Sequence, residues 1–225
     1  MRPFSFPVRK PSWSGLRLAV AGSVAALLVG CAAWPQKPLP VARYDFGLDA
    51  QPVSTDAMRG STRILVLGPV KASGMPDFST SILYRLAYAN DQELRPYTQA
   101  RWNTPATQLI AQRVRSALSR GRPVLMDADG AMQALLPDGL PSMLRLEVEE
   151  FSQVFDAADR SQGVLRLRAT LTELTPKGEK WLGQQMFQVV KPSKTPDAAG
   201  GSAALAAATA DAAQQLDAWL RQQGR

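Results

Sequence analysis

Two stretches near the middle of the chain limit its fold more than any other feature. In LRLEVEEF the apolar Leu144, Leu146 and Val148 alternate with Arg145, Glu147 and Glu149. In LRLRATL Leu165, Leu167, Ala169 and Leu171 alternate with Arg166, Arg168 and Thr170. A period of two places each apolar set on one face of a strand, and the polar DAADRSQG between the two supplies a loop. Antiparallel pairing that sets Glu149 opposite Arg166 and Glu147 opposite Arg168 also sets Val148 opposite Leu167 and Leu146 opposite Ala169. Opposite charges then meet on the wet face and apolar side chains on the dry one, as cross-strand energetics favour. The dry face needs a covering layer.

Two segments have the pattern of that cover. Thr104 is a candidate N-cap, Pro105 suits the first helical position and Gly121 suits a C-terminal stop. Between them Ala106, Ile110, Val114 and Ala117 share one face, with Gln108, Arg115 and Ser119 opposite, so the spacing predicts an amphipathic helix lying on a sheet. After the loop KTPDAAGG, residues 202–222 predict a second, alanine-rich helix with Leu205, Ala208, Ala212, Leu216 and Trp219 in one stripe.

Further strands are expected at RILVLGPV (63–70), a continuous apolar run, and at WLGQQMFQVV (181–190) after the turn TPKGEK. SILYRLAYA and ELRPYTQARW predict a hairpin that turns at NDQ (90–92), with Pro96 pushing the second arm toward a sheet edge. The sum is an α+β fold, an antiparallel or mixed sheet packed with two main helices.

The 225 residues contain one cysteine, Cys31, so no disulfide forms within the chain. It follows MRPFSFPVRKPSWSGLR, which carries Arg2, Arg9, Lys10 and Arg17 and no acid, and the apolar LAVAGSVAALLVG. These are the charged region and apolar core of a secretory signal. Leu18 to Gly30 is well short of the roughly 20 residues a helix needs to cross a bilayer core. Leu28, Val29, Gly30 and Cys31 together resemble the lipobox of bacterial lipoproteins. That resemblance implies cleavage between Gly30 and Cys31, and a diacylglycerol and an acyl chain on Cys31. Two or more chains hold a protein stably at a bilayer where one does so only marginally. Ala32 in place of aspartate resembles the pattern of lipoproteins sent to the outer membrane.

The expected organisation is a signal peptide at 1–30, a lipidated Pro-rich tether at 31–43 and a single domain at 44–225. The tether, with Pro35, Pro38 and Pro40, should be extended at roughly 3 Å per residue. Without the signal, the 26 Lys+Arg of the chain lose four members and the 19 Asp+Glu lose none, leaving 22 against 19. A net charge of about +3, with no basic patch interleaved with aromatics, argues against nucleic acid as a partner.

Candidate chemistry is sparse. The sequence has no histidine, which excludes Ser-His-Asp and Cys-His catalysis and histidine metal sites. DADG (127–130) lacks the later ligands of a calcium loop, and AAGGSAA lacks the Lys-Ser/Thr of a phosphate-binding loop. The adjacent Glu149 and Glu150 are expected to be solvated strand charges. No cofactor and no enzyme activity are expected, although a hydrolase using carboxylates alone stays open.

The lipobox, YDFG (44–47) and the run ILYRLAYANDQELRPYTQARWNTPATQLIAQRVRSAL resemble the PqiC-like, ABC-type transport auxiliary lipoproteins. The residues that carry the likeness are Tyr84 and Arg85 in one strand, Tyr97 in the next, and Trp102 before the helix that Pro105 opens. The resemblance spans roughly residues 43–222. It implies an accessory lipoprotein, anchored in the outer membrane and facing the periplasm, that serves an ABC transporter complex with MCE-domain proteins in moving lipids between membranes. Tyr84, Arg85, Tyr97 and Trp102 are then candidates for the partner surface or for structural aromatics. A lipid-carrying envelope lipoprotein, holding acyl chains between sheet and helices, is the second reading. Whether the domain forms a homo-oligomer is left open by the sequence.

Overall fold

The computed structural model describes residues 40–48, 64–73, 79–126 and 141–225. The expected signal, Cys31, the tether up to residue 39 and the DADG turn lie outside them. The chain divides at Pro40, and the unit described below is Val41–Arg225.

The element order among the described residues is β1 (Ala42–Tyr44), β2 (Leu65–Leu67), β3 (Lys71–Ala72), β4 (Ser81–Leu86), β5 (Asn90–Trp102), α1 (Ala106–Leu118), β6 (Val124–Leu125), β7 (Ser142–Ala157), β8 (Arg160–Thr175), β9 (Gly178–Pro192) and α2 (Ala198–Gln222). The nine strands form one mixed sheet built on β7. On one flank β7, β8 and β9 make a continuous antiparallel meander. On the other flank three short strands run parallel to β7 in succession along its length: β2 at 142–144, β3 at 147–148 and β4 at 153–155. β6 pairs outside β2, and β5 followed by β1 outside β4.

The dry face lies under α2, whose stripe of Leu205, Ala208, Ala212, Leu216 and Trp219 is buried against Leu146, Val148, Leu165, Leu167 and Phe187. Fully burying one such leucine is worth roughly 1.5–3 kcal/mol, so this layer supplies much of the fold's stability. Gly163 of β8 lets the helix come this close, because a Cβ there would stand 2.8 Å from the backbone of Ala204 and of Leu205.

The register is as predicted for Leu146↔Ala169, Glu147↔Arg168 and Val148↔Leu167 and departs after that point: Arg166 stands opposite Glu150, not Glu149. Glu149 is the extra residue of a β-bulge, and its side chain reaches diagonally to Arg168. The bulge shifts the buried set of β7 from even positions, Leu144, Leu146 and Val148, to odd ones, Phe151, Gln153 and Phe155. The doubled Glu149-Glu150 and the three-residue step from Val148 to Phe151 are its mark in the sequence.

Three boundaries also move. The β4–β5 turn is at Ala87–Ala89, and Asn90, Asp91 and Gln92 already belong to β5. Thr104 does not cap α1: its hydroxyl is buried without a partner, and the Pro105 carbonyl instead accepts from the backbone of Gln108 and Leu109. α2 starts four residues before the predicted 202, because Asp197 caps it by accepting from the Gly200 N–H at 2.8 Å. No described helix is long and apolar enough to cross a membrane.

Candidate functional site

The four aromatic and basic candidates from the sequence do not form one surface. Trp102 is 1 % exposed, packed edge-on against Phe46 at 5.5 Å and beside Phe151 at 5.8 Å, so it is a core residue and takes no part in a partner surface. Tyr84 and Tyr97 are half-buried on the helix-covered face, with ring centroids 4.7 Å apart and Phe155 6.0 Å from Tyr84. The Tyr97 hydroxyl donates to Gln153 Oε1 at 2.9 Å, and Gln153 Nε2 donates to Ser161 Oγ at 2.7 Å. Gln153 is fully buried and needs both bonds, since a buried amide without partners is costly. A Cβ on Gly201 would collide with that same Oε1, so the first turn of α2 rests directly on this amide. Burial, then the nearby charges of Tyr84 and Asp197, push the Tyr97 phenol up to about 12. It is a neutral donor at any physiological pH.

Arg85 follows Tyr84 in the strand and therefore points to the other face. There it donates to Glu150 Oε2 at 3.0 Å and to the Asp91 carbonyl at 3.2 Å. This uncovered face is laced with ion pairs. Arg145 grips Glu179 with both terminal nitrogens, Arg168 meets Glu149, and Arg166 is exposed. The hydrogen bond from Arg145 holds the Glu179 carboxyl below its ordinary range, and Glu179 in turn raises the guanidinium.

Beside these charges lies a feature the sequence reading missed. β9 pairs only with β8 among the described residues, so its outer edge is free along its length. Trp181, Met186 and Val190 are 65 %, 40 % and 41 % exposed. Their ladder partners Thr172, Arg168 and Val164 put all three on the uncovered face. A run of uncharged residues from Trp181 to Val190 lacks the lysines, prolines and inward charges that usually guard an edge. Trp, Met and Arg together are the composition of protein-binding surfaces. The signal was present in WLGQQMFQVV, which carries apolar residues on both parities although only one face could be covered. No group of three or more acidic or cysteine side chains among the described residues has metal-site geometry.

The fold has counterparts among solved structures. Protein XCC0632 from Xanthomonas campestris aligns over 82 % of this chain and 94 % of its own, with 21 % identity and a TM-score of 0.56. An uncharacterized protein aligns over 80 % and 99 %, with 15 % identity and a TM-score of 0.56. These likenesses show the fold. No curated protein matches the sequence. Residues 44–217 match the ABC-type transport auxiliary lipoprotein component, and the chain belongs to that family. Lipoprotein and transport auxiliary component are thus properties of its family, which is not a class of enzymes.

Proposed function

We propose that this chain is the lipid-anchored accessory subunit of an ABC/MCE-type system that moves lipids between membranes, held in the outer membrane through Cys31 and facing the periplasm. The observation that carries the reading is the family match over residues 44–217, nearly all of the domain predicted at 44–225. An anchor, an extended tether and a rigid domain with one unguarded edge together suit a docking part. The MCE-domain partner meets the face of β9 turned away from α2 at Trp181, Met186 and Val190, three exposed apolar side chains on one strand. Tyr84 and Tyr97 act by holding β4 and β5 to α2.

The test is expression of the full chain beside its cognate permease, ATPase and MCE protein, followed by membrane fractionation, intact mass and capture through the MCE protein. The expected result is an outer-membrane species starting at Cys31, heavier by two or three acyl chains, that co-purifies with the MCE protein. Cys31→Ser should remain unprocessed, and Trp181→Asp should be processed normally yet captured several-fold less. A lipidated protein that never co-purifies would sink the partner assignment while leaving the anchor intact.

A further inference from the structure

The face opposite α2 holds a groove of about 560 Å³ at the end of the sheet where β2 and β3 flank β7, beside the buried Val66 and Met143. This lies within the ~300–1,000 Å³ range of ligand clefts. Its walls include Pro69, Met126 and Met143. Methionines are polarizable and adaptable, which suits a flexible apolar chain better than a rigid ring system. Its charged lining is unusual. Arg145 is spent, gripped by Glu179 through both terminal nitrogens. Lys71 and Glu147 are cross-strand neighbours in the β3–β7 ladder, yet they form no ion pair with each other. Glu147 takes the hydroxyl of Ser73 instead. Lys71 is exposed, with no ion-pair partner among the described residues. The rim thus presents one cation and one carboxylate side by side above apolar walls.

We infer that this groove binds a zwitterionic phospholipid. Its phosphate meets Lys71, its ammonium meets Glu147, and one acyl chain lies along Pro69 and Met126, over the largely buried Met143. A purely anionic head would be repelled by Glu147, and a neutral alcohol would leave both charges unmatched. Opposite charges a few ångströms apart in a partly dry groove select by arrangement more than by net attraction. The inference does not depend on the transport reading, because it rests on the groove alone.

The experiment uses the full-length protein in a non-ionic maltoside detergent with three photoactivatable probes of equal chain length: lysophosphatidylethanolamine, lysophosphatidylglycerol and hexadecanol. Adducts are mapped by mass spectrometry. The zwitterionic probe should label the peptides that contain Met126 and Met143 at least five-fold more than either competitor. Lys71→Gln should lower that labelling about ten-fold. Glu147→Gln should weaken the zwitterionic probe and strengthen the anionic one, removing the preference. Both positions are on the wet face, and circular dichroism of the variants confirms the fold. Competition by diacyl phosphatidylethanolamine at similar concentration identifies the membrane lipid as the source, and competition by the lyso form alone identifies the lysolipid; either outcome supports the site. Adducts dispersed over the surface, a hexadecanol signal equal to that of the zwitterion, or a preference unchanged in both variants would overturn it. Because labelling is read without any partner protein, its failure is separate from a failure of MCE capture.

Discussion

The two flanks of β7 are built on opposite plans. β8 and β9 follow it in the chain, antiparallel and joined by short turns, each strand 15 or 16 residues long. On the other side β2, β3 and β4 have three, two and six residues, run parallel, and come from chain positions 69 to 77 residues away in register. Here the register offsets are those between Leu65 and Ser142, Lys71 and Glu147, and Tyr84 and Gln153, all of them long-range. Local antiparallel pairing closes short loops, whereas each parallel strand must be brought back over a long excursion. The meander is therefore the scaffold, and the segmented flank is what the scaffold assembles.

That contrast can be broken most forcefully at Gly163. Replacing it with valine on the meander drives a side chain into the backbone of α2, and it should cost about 3 kcal/mol or more, read as a fall in the urea midpoint. Gly183 of β9 also faces α2, but a Cβ there meets Trp219 at an ordinary 3.5 Å, so Gly183→Ala should change stability far less. Equal effects at the two glycines would mean that the helix does not press on β8.

On the segmented flank the corresponding link is Tyr97→Phe, which strands the buried Gln153 acceptor and should cost roughly 1–2 kcal/mol. Hydrogen exchange should show the loss as faster opening of β4 and β5, with β8 unaffected.

Asp197→Ala removes the cap of α2 and should cost about 1 kcal/mol at neutral pH. The bond from the Gly200 N–H, then that from Thr195, holds the Asp197 carboxyl below its ordinary range. A carboxyl depressed in the folded state stabilises fully above its unfolded value of about 3.9, and that contribution fades as pH falls through the folded value. The difference between wild type and Asp197→Ala should therefore shrink in acid; a constant difference would assign it to helix propensity alone.

The smallest effect is expected at Trp181→Ser, within about 0.5 kcal/mol in stability, because the side chain is mostly in water. A large loss would mean that the edge of β9 is structural.

The same asymmetry explains what was legible in the sequence. Period-two alternation announced β7 and β8, and the alanine stripe announced α2, since these patterns are fixed by local geometry and a single buried face. The one-residue excess at Glu149 escaped because charge pairing with Arg166 and with Arg168 satisfied two registers equally well. β1, β3 and β6 are two or three residues long, too short for any period. Trp102 stayed open between partner surface and structural aromatic because its partners, Phe46 and Phe151, lie far away in the chain. The groove was invisible for the same reason: Lys71, Met126 and Met143 meet only after the parallel pairing has formed.

Glu149 has a consequence that no substitution reveals. Because the bulge swaps the faces of everything beyond it, the orientation of Phe151, Gln153 and Phe155 depends on how many residues precede them and hardly at all on which residue occupies position 149. Point changes there are cheap, while removal of a single residue would turn the far half of the strand inside out. This spot is thus tolerant to spelling and intolerant to length, and relatives that share the fold should vary freely in the letter while keeping the count.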